Sequence, residues 1–174
     1  MAYSRKSRYE AIRNHFKNLL DSCLEFSASQ DIGEYSTRIS IFDIEPGIML
    51  REPLSCRLSF KIGSADRSNI VTIVFSKSFF DWLYLFDDEA GSNINSDYFT
   101  GNRMITVFAR HRYGAGRPEQ CRFRNIWFSK KPFRLTMNLY VGGDSRGHSA
   151  RIRFDQESIN LISGFLHMNY PRFL

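Results

Sequence analysis

The stretch FRLTMNLYVGGDSRGHSARIRFDQESINLISGF, residues 133–165, decides the fold. Phe133, Leu135, Met137, Leu139 and Val141 alternate with Arg134, Thr136, Asn138 and Tyr140, the period of two that a half-buried strand requires. A glycine-rich turn at 142–147 follows. Ala150, Ile152 and Phe154 then alternate with Arg151 and Arg153, so a hairpin is predicted. Asp155 stands at a helix N-cap, ahead of Ile159, Ile162, Phe165 and Leu166 at helical steps. A hairpin that runs straight into an amphipathic helix describes a sheet covered on one side and open on the other.

Working outward, further strands are predicted at 104–113 and 121–128, with turns at 114–118 and 130–132. In the first half, Tyr9, Ile12, Phe16, Leu19, Leu20, Cys23 and Leu24 form one face of a helix whose periodicity continues to Phe26. A strand through Thr37, Ile39 and Ile41 is expected to end before a turn at Pro46 and Gly47. Leu54, Cys56, Leu58, Phe60 and Ile62 alternate with polar residues, and a third strand spans 70–75. Ser76 then caps a helix bearing Phe79, Phe80, Leu83 and Phe86. Residues 87–102 have the composition of an exposed linker.

Laid over each other at an offset of 79, residues 60–86 and 139–165 share five identities over 27 positions, among them Gly63 with Gly142 and Phe75 with Phe154. The predicted class is therefore α+β: two tandem antiparallel-sheet-plus-helix repeats, 36–88 and 103–170, preceded by an amphipathic helix within 1–30. At 174 residues the chain is expected to form one domain, 1–174.

Charge is unevenly distributed. The net +6 divides into −2 over residues 1–90 and +8 over 91–174, and residues 103–153 hold 12 basic side chains, ten of them Arg, against Glu119 and Asp144. Strand parity places Phe108, Arg110 and Arg112 on one side of the first of the four later strands, with Ile105, Val107 and Ala109 on the other. Arg122 and Arg124 face outward from the second strand, Arg134 and Tyr140 from the third, and Arg151 and Arg153 from the fourth; Cys121, Phe123 and Trp127 are expected to pack inward. If these four strands form one sheet, seven arginines share an open face with Phe108 and Tyr140. Rings interleaved with guanidinium groups suit unpaired bases and their phosphates.

Other chemistry finds little support. His15, His111, His148 and His167 lack metal-ligand spacing with each other or with Cys23, Cys56 and Cys121, so no metal and no cofactor is predicted. The glycine-rich turns lack the lysine of a phosphate-binding loop, and no nucleophile elbow occurs. A metal-independent nuclease would have to use His111 and His148. Asp87, Asp88 and Glu89 read as a solvated helix end. No apolar run is long enough to span a bilayer, so no membrane association is expected. The odd, scattered cysteines suggest free thiols in a reducing, cytoplasmic compartment. Residues 2–17 share the Arg- and Ser-rich composition of mitochondrial transit peptides, but their helical periodicity reads as a surface helix.

The layout of 36–170, with its best local match at 133–165, resembles the PUR and Whirly group of single-stranded nucleic-acid-binding proteins, whose repeats have four strands followed by a helix. The resemblance implies a non-enzymatic binder of single-stranded DNA or RNA that forms a homo-oligomer. The competing reading is a protein-interaction module, a regulator or inhibitor whose arginine face docks an acidic partner.

Overall fold

The computed structural model describes residues 5–30, 38–49, 52–63, 68–86, 91–111, 121–141 and 148–169. Among these the protein is α+β, with four helices and two antiparallel sheets. The elements are α1 (Arg5–Cys23), β1 (Glu25–Gln30), β2 (Arg38–Met49), β3 (Glu52–Gly63), β4 (Ser68–Ser76), α2 (Lys77–Leu85), β5 (Ser92–Asn95), α3 (Ser96–Gly101), β6 (Ile105–His111), β7 (Cys121–Lys130), β8 (Phe133–Val141), β9 (His148–Phe154) and α4 (Gln156–Asn169). One sheet has the order β1-β9-β8-β7-β5 and the other β2-β3-β4-β6.

This topology corrects the expectation that the last four strands share a sheet. β6 pairs antiparallel with β4, Phe108 opposite Thr72, while β7, β8 and β9 form the heart of the five-stranded sheet. Parity reports which side of a strand is buried and nothing about which strand lies beside it. The N-terminal helix is likewise shorter than its periodicity suggests. It ends at Cys23, and Glu25–Gln30, expected to be helical, instead pair with β9. There Phe26 turns inward to meet Phe60 edge-on at 5.9 Å.

Two further expectations fail for local reasons. Pro46 and Gly47 do not end β2; they continue it opposite Cys56 and Ser55. β2 is an edge strand, the position in a sheet where a proline is tolerated. Within 87–102, read as linker, lie β5 and α3. Asn95 starts that helix by accepting a hydrogen bond from the Asp97 N–H at 2.9 Å, and Phe99 anchors it as a fully buried side chain. Residues 87–90, the glycine turns at 114–118 and 142–147, and Arg112 lie outside the described residues.

The inner faces of both sheets and the helices share one apolar core. Phe75 of β4 meets Phe154 of β9 edge-on at 5.9 Å, joining the sheets directly. Trp82 and Phe86, at the end of α2, pack on Phe128 of β7 at 5.6 and 5.1 Å. α4 contacts β2 and β3 of the other sheet, and its Phe165 meets Phe16 of α1 at 5.4 Å. Each fully buried Phe contributes about 2 to 3 kcal/mol through the area it withdraws from water. Asp155 begins α4 as expected: its carboxylate accepts from the Ser158 N–H at 2.7 Å, and the Ser158 hydroxyl accepts from the Asp155 N–H at 3.0 Å. Ser76 occupies the N-cap of α2, but its hydroxyl donates to the Met104 carbonyl at 3.1 Å and so ties the helix start to the approach to β6.

Candidate nucleic-acid interface

The inner face of the five-stranded sheet is sealed by Leu135, Met137, Leu139, Ala150, Ile152 and Phe154, all buried. Alternation then forces the intervening residues to the opposite face. Arg122, Arg124, Arg134, Tyr140, Arg151 and Arg153 are brought together there, on three adjacent strands. Phe108 and Arg110 are not. They belong to β6 in the four-stranded sheet, where Phe108 is 41% exposed and Arg110 stands opposite Ile70. His111 lies in that sheet opposite Asn69 and His148 in the other opposite Val141, and neither side chain is described.

A β-bulge reshapes the face. Phe123 pairs with Leu139 and Asn125 with Asn138, which leaves Arg124 as the extra residue on β7. Beyond it the parity reverses, so Ile126 and Phe128 are buried and Trp127, expected inside, is 39% exposed on the arginine side. The signal was present in the sequence. Apolar residues fall at odd positions 121 and 123 and at even positions 126 and 128, with the polar pair Arg124 and Asn125 between. Trp127 is further positioned by Gly91, whose missing Cβ leaves room for the indole, since a Cβ there would lie 2.7 Å from the ring, and whose φ of +85 favours glycine.

The register arranges these side chains in cross-strand rows. One row runs Glu25, Arg153, Thr136, Trp127, Asn93, and the next Ser27, Arg151, Asn138, Asn125, Asn95. A third carries Ser149, Tyr140 and Arg122. Rows lie about 7 Å apart and strands about 4.8 Å. Tyr140 is flanked by the guanidinium groups of Arg122 and Arg124, 5.5 and 5.7 Å from its ring centroid. Between the aromatic rows is a shallow concavity of about 520 Å³ bordered by Ser27, Arg124, Asn125, Asn138, Ser149 and Arg151.

Among the described residues, one arginine of this face is paired with an acid. Arg153 donates to Glu25 at 3.1 Å, an acid 128 residues away that a count over 103–153 does not include. The Cys121 thiol, at the start of β7, is pushed up to about 12 by burial, which keeps it protonated and poorly nucleophilic at neutral pH. Burial raises Cys56 as well. Among the described residues no group of three His, Cys, Asp or Glu could hold a metal ion, and no helix is long and apolar enough to cross a membrane. The chain matches no protein-family model, no curated protein and no solved structure.

Proposed function

We propose that the protein is a non-enzymatic binder of single-stranded DNA or RNA, and that the outer face of the five-stranded sheet is its binding surface. The observation that carries this reading is the grouping of Arg122, Arg124 and Arg151 around Tyr140 and Trp127 on one exposed face. Bases stack on the rings, each worth about 1 to 3 kcal/mol, while the guanidinium groups follow the phosphates. A broad sheet with protruding rings suits a strand whose bases are free to splay better than a duplex, whose groove takes an inserted helix or ribbon.

A duplicated, PUR- or Whirly-like architecture belongs to the same proposal. Displaced by 79 residues, β3, β4 and α2 fall on β8, β9 and α4. Each sheet also receives an edge strand that follows a helix of the other half: β1, after α1, lies beside β9, and β6, after α3, beside β4. The self-association implied by that resemblance is tested by sedimentation velocity.

Binding is tested by fluorescence anisotropy with labelled oligo-dT, oligo-U and a duplex at several salt concentrations. The four arginines Arg122, Arg124, Arg134 and Arg151 predict a slope of log affinity on log salt of about −3 for single strands. Equal competition by polyglutamate and oligo-dT would assign the face to an acidic protein instead.

A further inference from the structure

The row Ser27, Arg151, Asn138, Asn125, Asn95 crosses the centre of the face, and its hydrogen bonds run in one direction. Arg151 Nε donates to Asn138 Oδ1 at 3.1 Å, and Asn138 Nδ2 donates to Asn125 Oδ1 at 2.8 Å. Arginine has donors and no acceptor. It therefore turns the Asn138 oxygen toward itself, which turns the Asn138 amino group toward Asn125 and the Asn125 oxygen back along the row. This polarity follows from guanidinium chemistry and does not depend on how amide oxygen and nitrogen are assigned.

The far end of the row is polarised the same way by a different contact. The Oδ1 of Asn95 is occupied at the start of α3, where it accepts from the Asp97 N–H at 2.9 Å. Asn125 and Asn95, opposite each other on β7 and β5, thus have both oxygens engaged and both amino groups without a partner among the described residues. The middle of the face presents N–H donors to whatever lies on it.

We infer that this donor row selects bases that present carbonyl oxygens, so that the face prefers keto bases, thymine or uracil foremost, over cytosine and adenine. The inference rests on the single-strand reading above. The rows of Trp127 and Tyr140 flank the donor row at about 7 Å, so a base stacked on either ring carries its edge over the amides. Thymine and uracil offer O4 to Asn125 Nδ2. Cytosine offers an amino group at the same position, which leaves two donors facing each other.

The test compares oligo-dT, oligo-dC and oligo-dA of equal length by anisotropy at neutral pH. Thymine and cytosine are both pyrimidines that differ at position 4, at N3 and in the C5 methyl, so oligo-dU, which lacks the methyl, is measured beside them to take the methyl out of the comparison. Oligo-dT is expected to bind about tenfold more tightly than oligo-dC. Asn125→Asp, which replaces the donor by an acceptor of the same shape, reduces or reverses that ratio. Asn93→Asp adds the same charge beside Trp127 outside the row, and weakens both oligonucleotides while preserving the ratio. Arg151→Gln, which can accept as well as donate, releases the row's polarity and brings the ratio close to one. Circular dichroism melts establish that each variant is folded. Equal affinities of the unaltered protein for oligo-dT and oligo-dC would overturn the inference and leave single-strand binding standing. A ratio unchanged in Asn125→Asp would overturn it too. Absence of binding to every oligonucleotide would instead overturn the reading on which it rests, and this inference with it.

Discussion

On the outer face of the four-stranded sheet, Asp43 is held by Arg13 of α1, Glu45 stands opposite Arg57, and the buried hydroxyls of Ser59 and Thr72 bond each other at 2.9 Å. On the outer face of the five-stranded sheet, Arg122 and Arg124 flank a tyrosine, and among the described residues neither is paired with an acid. Both faces belong to antiparallel strands packed on the same core. The first pairs Asp43 with Arg13 and Ser59 with Thr72, and the Nε of Arg57 is its one buried polar side-chain atom without a partner among the described residues. The second leaves donors and rings directed at solvent, where they gain only from a partner that brings acceptors and flat surfaces. Net charge alone does not distinguish the faces; the local pairing of charges does.

The sharpest way to break that contrast is to neutralise the unpaired arginines. Replacing Arg122, Arg124 and Arg151 together with Gln is expected to weaken oligo-dT binding on the order of a hundredfold, because three charge-assisted contacts are lost. Arg110→Gln, in β6 of the other sheet, should leave affinity and salt slope unchanged. An equal loss from Arg110→Gln would show that the four-stranded face also binds.

The aromatic residues give a smaller effect with the same logic. Trp127→Ala should cost single strands about tenfold and a duplex little, through the loss of one stacked base. Phe108→Ala, a comparably exposed ring on the four-stranded face, should change neither. Titration of intrinsic tryptophan fluorescence with oligo-dT offers an independent reading, since Trp127 is exposed and Trp82 packs against Phe99 and Phe128. Quenching retained in Trp127→Ala would remove the indole from the site.

How far the site could be read from sequence follows from the same residues. β8 was legible because 133–141 alternates without interruption, and Arg134 and Tyr140 emerge where parity puts them. The cap at Asp155 was legible because it stands just ahead of Ile159, Ile162 and Phe165 at helical steps, and its carboxylate does accept from the Ser158 N–H. Trp127 was misplaced because a bulge inserts one residue and inverts everything after it. Phe108 was given the correct side of its strand, and it and Arg110 the wrong sheet, since pairing of β6 with β4 is a long-range choice that leaves no local mark. β1 was hidden because it continues the apolar spacing of α1 and becomes a strand by completing the edge of β9.

Gly91→Ala tests whether the indole must be held where it is. A methyl group at a φ of +85 is strained, and it would meet Trp127 at 2.7 Å. Stability should fall by about 1 kcal/mol in urea melts, and affinity for oligo-dT about threefold, less than removal of the ring itself. A full tenfold loss would mean that Gly91 contributes to binding directly, and no loss would mean that the ring relocates without consequence.

The smallest effect carries the most direct comparison of a paired with an unpaired arginine on one face. Arg153 is joined to Glu25 at 3.1 Å with both side chains substantially exposed, 41% and 72%, so the pair contributes little to folding. Glu25→Gln should leave the melting temperature nearly unchanged while releasing Arg153 to a phosphate. The salt slope then steepens by about 0.7, with a two- to threefold gain in affinity at low salt that fades as salt rises. Removal of a nearby negative charge also raises affinity by general attraction, and the double change Glu25→Gln with Arg153→Gln separates the two. If the gain survives without Arg153, the acid was repelling the strand; if it disappears, Glu25 was occupying a fifth phosphate contact.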